Sequence, residues 1–225
     1  MHSAASGGMR LLLPGLANEV SSKYFVERFG LILISVIAMD TSPIRLALAR
    51  HNAQIYGVAD RIEFVLSDFV SFARTYGTFP SSHTNIRKID VVFLSPPWGG
   101  PSYLDGFSED VTQDMPPIVP PTVPPTTEHP HYSLSSIQPM NGFELFDLTR
   151  KITHNVAYYL PRNTKVEEIG SLLEARVGNG FMATKPATQE RIEIEEEWMG
   201  NKLKALTCYF GGLVQGQEDM FECGR

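Results

Sequence analysis

The chain has 225 residues, 43% of them hydrophobic and 20% charged, which suits one domain with a real core and leaves little room for two. Its longest apolar run, Leu31 to Met39, falls well short of the roughly 18 residues that a membrane span needs. A net charge of −6 excludes a broad basic footprint for nucleic acid, so any nucleotide recognition must rest on a local pocket.

In chain order, Met1 to Leu13 places a short apolar stretch behind Arg10, without the core and cleavage site of a secretory signal. Ile32 to Met39 then reads as a buried strand ending in Asp40. Ser42 is a plausible N-cap with Pro43 at the first helical position, so a helix is predicted from Pro43 to Tyr56, stopped by Gly57. Ile62 to Leu66 is a second strand, ending at Ser67 and Asp68. Asp90 to Leu94 is a third, running directly into Ser95-Pro96-Pro97-Trp98. Near-continuous apolar runs of this kind suit parallel strands covered on both faces.

From Thr112 to Pro130 the prolines are too dense for helix or ladder strand, which predicts an extended surface loop or a disordered insert. It is also a candidate proline-rich ligand for a partner domain. Gly142 to Ile152 and Val166 to Ala175 are amphipathic helices, and Val156 to Leu160 is a fourth strand ending at Pro161-Arg162-Asn163. Arg191 to Trp198 and Lys204 to Phe210 read as an antiparallel pair. Strands alternating with helices imply a doubly wound α/β sheet. Cys208 and Cys223 read as two free thiols, and the histidines form no metal set; His129 and His131 stand among prolines without carboxylates or thiols beside them.

In such sheets ligands bind outside the carboxyl ends of the strands, where this chain places its polar residues. A carboxylate at Asp40 can accept both hydroxyls of an adenosine ribose, and Asp68 can take the adenine amino group. The Ser95–Pro101 string carries the sharper signal. Two prolines straight after a buried strand fix the backbone and remove two N–H donors, leaving carbonyls to accept the protons of an amine. Ser95 and Pro96 therefore suit an amine whose lone pair must be aimed at a methyl group. Trp98 offers a flat face for a planar base, with a cation–π contribution if that base is charged. The rival reading makes Trp98 a buried core anchor and the prolines merely a rigid turn, but the motif's place after a buried strand of a nucleotide-binding pattern favours the site.

The sequence at these points resembles the trimethylguanosine synthase family, which methylates N2 of the 7-methylguanosine cap on small nuclear and nucleolar RNAs. The resemblance is carried by Val36–Asp40 with the helix behind it, Ile62–Phe69, Asp90–Tyr103, Asn141–Phe146, Tyr159–Asn163 and Asn201–Lys204. It implies a Rossmann-like class I S-adenosylmethionine-dependent methyltransferase sheet with antiparallel C-terminal strands. In that family Trp98 would stack on the cationic 7-methylguanine, and Ser95 with Pro96 would hold the N2 amine beside the cofactor. Asp40 and Asp68 would hold the adenosine, and Arg162 with Asn163 would face the cap and its triphosphate bridge. A nuclear address and capped RNA as partner follow from the same resemblance, with no metal and no membrane.

The family's glycine-rich first loop has no counterpart here. Met9 to Leu13 is followed by Pro14-Gly15-Leu16-Ala17-Asn18, so the first strand and its loop are read as degenerate, and the segment that in the family precedes the domain and helps wrap the cap is not seen. The layout is a degenerate or incomplete N-terminal part over 1–30, a methyltransferase domain over 31–214 with a Pro-rich insert at about 112–136, and a tail over 215–225. Two explanations compete, an incomplete or misassembled copy of an active enzyme and a divergent copy that has lost its cofactor. The rival functions are a catalytically impaired cap-binding or scaffold module and an amino-methyltransferase for adenine or a protein amide.

Overall fold

The computed structural model of the chain describes residues 9–14, 33–76, 88–97, 131–174 and 190–217. They form one seven-stranded sheet: β1 (Met9–Pro14), β2 (Leu33–Asp40), β3 (Ile62–Leu66), β4 (Val91–Leu94), β5 (Val156–Pro161), β6 (Glu193–Met199) and β7 (Lys202–Phe210), in the spatial order β3-β2-β1-β4-β5-β7-β6. The first five strands pair in parallel, whereas β7 runs antiparallel to both β5 and β6. Among the described residues the helices are α1 (Pro43–Ile55), α2 (Phe69–Tyr76), α3 (Gly142–Arg150) and α4 (Val166–Glu174).

The predicted elements form because local chemistry and burial agree. Every residue of β4 is buried, so a continuous Val-Val-Phe-Leu run is what a strand covered on both faces requires. Phe93 and Leu94 alternate between two apolar clusters, one with Val36, Ala157 and Tyr209, the other with Phe146, Tyr158 and Phe210. Phe146 of α3 lies parallel to Tyr158 at 6.2 Å and tilted against Phe210 at 4.6 Å, which fixes this helix over the sheet. Ser42 caps α1 by accepting from the Arg45 amide, and Gly57, at φ +68°, turns the chain away behind it. The β6–β7 hairpin closes on Gly200 and Asn201, with Gly200 at φ +58°.

Three features go beyond the sequence reading. Met9–Pro14, read as a degenerate first strand, is β1 at the middle of the sheet, with Leu11 and Leu12 registered between β2 and β4. The residues after it, where the resemblance places a glycine-rich loop, lie outside the described residues. Helix α2 was not predicted at all: Phe-Val-Ser-Phe-Ala-Arg-Thr-Tyr is poor in strong helix formers, and packing of Phe69, Val70, Phe72 and Tyr76 against the sheet overrides that weakness. Within the stretch assigned to the insert, Tyr132 and Leu134 are buried in the core, Tyr132 bridging to Thr164; residues 98–130, with the proline pairs, lie outside the described residues.

Candidate active site

The polar ends of β2, β3 and β4 converge because the three strands are parallel and finish on the same edge of the sheet. They open onto a cleft of about 220 Å³ lined by Asp40, Thr41 and Arg45, by Ser67 to Val70, by Leu94 to Pro97, and across from these by Gln138, Pro139 and Leu145. It straddles β1, on whose two sides the strand order departs in opposite directions, the position at which open α/β sheets hold ligands.

Asp40 is the deepest charge there, with only 3% of its side chain exposed. Its Oδ1 accepts from the Ser42 amide at 2.7 Å, a turn that leads straight into α1. Arg45, one helical turn later, donates through Nη2 to Oδ1 at 2.7 Å and through Nε to Oδ2 at 2.9 Å. The hydrogen bond with Asp40, and then its charge, push the Arg45 guanidinium above its ordinary range.

Asp68 is exposed and serves as a cap: its Oδ2 accepts from the Ser71 amide at 2.8 Å at the start of α2. That backbone bond holds its carboxyl below the usual range. A depressed pKa contributes stability above the unfolded value of 3.8, lost as the pH falls through the folded value. Asp68→Ala should therefore cost about 1 kcal/mol at neutral pH. In urea titrations, its deficit relative to wild type should shrink below pH 3.8; a pH-independent deficit would contradict the cap.

Ser95 and Pro96 are buried at the floor of the cleft, while Pro97 is exposed at its lip. Trp98 lies outside the described residues. Arg162 and Asn163 follow β5 on the same edge of the sheet but do not line this cleft. There Arg162 Nη1 donates to the Leu203 carbonyl at 3.3 Å, and the Asn163 carbonyl accepts from the Tyr132 amide at 2.9 Å. Four residues singled out by sequence, Asp40, Asp68, Ser95 and Pro96, thus share one cleft, and Arg162 and Asn163 stand apart from it. The sequence reading missed Arg45, five residues beyond Asp40 across a capping turn, and Gln138 with Pro139.

No group of three or more potential metal ligands occurs among the described residues, and none of their helices is long and apolar enough to cross a membrane. Cys208 is buried in the core, which pushes its thiol up to about 12.

A central parallel sheet with β7 inserted antiparallel before β6, opening its cleft over β2, β1 and β4, has the Rossmann-like architecture of the class I methyltransferase fold. The sequence narrows this further. The family model of the RNA cap guanine-N2 methyltransferases matches residues 26–123 and 119–213, and the chain belongs to that family. It is 31% identical over 176 residues to the trimethylguanosine synthase of Schizosaccharomyces pombe, covering 78% of this chain and 56% of the relative. Against the trimethylguanosine synthase of Saccharomyces cerevisiae it is 27% identical over 144 residues, covering 63% and 36%. The chain thus spans about half or less of the length of these relatives. Among solved structures, the human methyltransferase 10 domain containing protein superposes at a TM-score of 0.49 with 11% identity, covering 93% of this chain and 74% of its own.

Proposed function

We propose that this chain uses S-adenosylmethionine to methylate the N2 amine of the 7-methylguanosine cap of small nuclear and nucleolar RNA, forming the 2,2,7-trimethylguanosine cap in the nucleus. The observation that supports it most is the sharing of one cleft by Asp40, Asp68 and the Ser95–Pro96 floor, in a member of the cap guanine-N2 methyltransferase family. The working unit of this reading is residues 31–214 together with β1, interrupted by the Pro-rich insert and followed by a tail.

The cleft suits the adenosine half of the cofactor. Asp40 is a buried carboxylate at the end of β2, able to accept two ribose hydroxyls, and Asp68 stands where the adenine amine would come. The methionine half would fall near the end of β1, beyond the described residues. When bound, the cofactor supplies an electrophilic methyl on a sulfonium and leaves as a neutral thioether.

The chain's own task is to aim the amine. The Ser95 hydroxyl and the carbonyls of Ser95 and Pro96 accept the N2 protons, so that the nitrogen lone pair faces the methyl; positioning of this kind supplies several kcal/mol of a barrier. Trp98 covers the cationic base, and Arg162 with Asn163 pairs with the triphosphate bridge. A strong general base is not required, because the amine proton departs to water once the N–C bond has formed. A second methylation at the same nitrogen needs rotation of the monomethylamine or release and rebinding.

Calorimetric titration with S-adenosylmethionine and with 7-methyl-GTP tests the reading, followed by mass spectrometry of a capped RNA incubated with both protein and cofactor. The expected result is binding of both and a product heavier by one or two methyl groups. Cap binding without cofactor binding would instead establish the second reading, a cap-recognising module, which the absence of a glycine-rich motif after Pro14 favours.

A further inference from the structure

We propose that Arg45 competes with the ribose diol for Asp40 and thereby sets the affinity and selectivity of the nucleoside site. The inference rests on the reading of Asp40 as the ribose anchor. A carboxylate offers about four acceptor positions, and a vicinal diol bound in bidentate fashion needs one on each oxygen. Arg45 already spans both, through Nη2 on Oδ1 at 2.7 Å and Nε on Oδ2 at 2.9 Å, while the Ser42 amide takes a further position on Oδ1 at 2.7 Å. The guanidinium fork and the diol therefore need the same edge of one buried group.

Arg45 is built to yield that edge. Its side chain is 58% exposed, so it can swing into solvent without opening the core. It occupies the first turn of α1, where the helix dipole disfavours a cation, and that turn carries no acidic residue. Asp40, by contrast, is fixed at the strand end and by the Ser42 amide. A ligand bringing two hydroxyls displaces the cation; one without them leaves it in place.

The test is calorimetry on the full chain with S-adenosylhomocysteine and its 2′,3′-dideoxy analogue, for wild type, Arg45→Met and Asp40→Asn. Methionine keeps the stem and the backbone bond to Ser42, so the helix start is preserved. Arg45→Met should bind S-adenosylhomocysteine roughly two- to fivefold more tightly, the range expected for losing a competing ion pair whose cation is exposed. Its affinity for the dideoxy analogue should not change. Raising the salt concentration should tighten S-adenosylhomocysteine binding in wild type but not in Arg45→Met. Weaker binding by Arg45→Met, or an equal change for both ligands, would overturn the competition. Equal affinity of wild type for the two ligands, unaltered by Asp40→Asn, would remove the ribose anchor itself and the competition with it.

Discussion

Asp40→Ala should weaken S-adenosylhomocysteine binding by about 100-fold, the consequence of losing two hydrogen bonds to a charged acceptor worth about 1.5–3 kcal/mol each, less the cost of displacing Arg45, which only the wild type bears. Two facts make the effect large. The carboxylate is only 3% exposed, so water cannot simply take its place beside the ribose. It also stands at the end of β2, where pairing with β3 from Val36 to Asp40 fixes the backbone beneath it. Affinity for 7-methyl-GTP should stay within about twofold of wild type, because in the proposed reading the cap is held by Trp98 and Arg162 rather than by Asp40; a protein that had merely unfolded would lose both ligands. Asp40→Asn retains an acceptor for the Ser42 amide and should fall between the two. A loss under about threefold in Asp40→Ala, with the melting temperature unchanged, would contradict the ribose role.

The parts of this architecture legible in the sequence are those where one physical cause dominates. β4 is buried throughout, and its composition can mean little else once Asp90 and Ser95 bracket it. α1 announces itself by Ser42, Pro43 and Gly57, each acting through backbone geometry alone. The strand-end residues Asp40, Asp68, Ser95 and Pro96 could be gathered in advance because parallel strands must deliver their carboxyl ends to one edge. Legibility fails where tertiary contacts decide. α2 has an unfavourable composition and exists through the packing of Phe69 and Phe72, so only its cap, Asp68, was visible, and that residue was read as a ligand contact rather than as a helix start. β1 lacks the motif expected after it, yet Leu11 and Leu12 need only neighbours on both sides to form a central strand.

The cleft's second wall escaped for a different reason. Gln138 and Pro139 come from a segment separated by more than forty residues from Ser95, and nothing local marks the pair as facing the strand ends. Their place is set by the burial of Leu134 and Ile137 beside Phe146, which draws the 131–140 segment over the edge of the sheet. Arg45 was hidden by its own ordinariness, since an arginine in an exposed helix face usually signifies solvation. Only the turn through Ser42 brings its guanidinium back onto Asp40.

Trp98→Ala should weaken 7-methyl-GTP binding by about 100-fold while leaving S-adenosylhomocysteine binding and the melting temperature close to wild type. Trp98 follows Pro97, the exposed lip of the cleft, and Pro96, its buried floor, so the chain reaches it directly from the position assigned to the amine. Stacking of a base on an aromatic ring contributes about 1–3 kcal/mol, and a cationic base adds about 0.5–2 kcal/mol over an indole face. The two contributions separate in one comparison. GTP carries the same ring without the positive charge, so the variant should lose less affinity for GTP than for 7-methyl-GTP, and the preference for the methylated base should shrink. Trp98→Phe, with a weaker π face, should recover part of the stacking and less of that preference. Calorimetry of the two nucleotides against the three proteins reads each quantity directly. Undiminished 7-methyl-GTP binding by Trp98→Ala would exclude the stacking role and move cap recognition to the Arg162–Asn163 side of the sheet edge, whereas equal losses for both nucleotides would leave the stack and remove the charge from its selectivity.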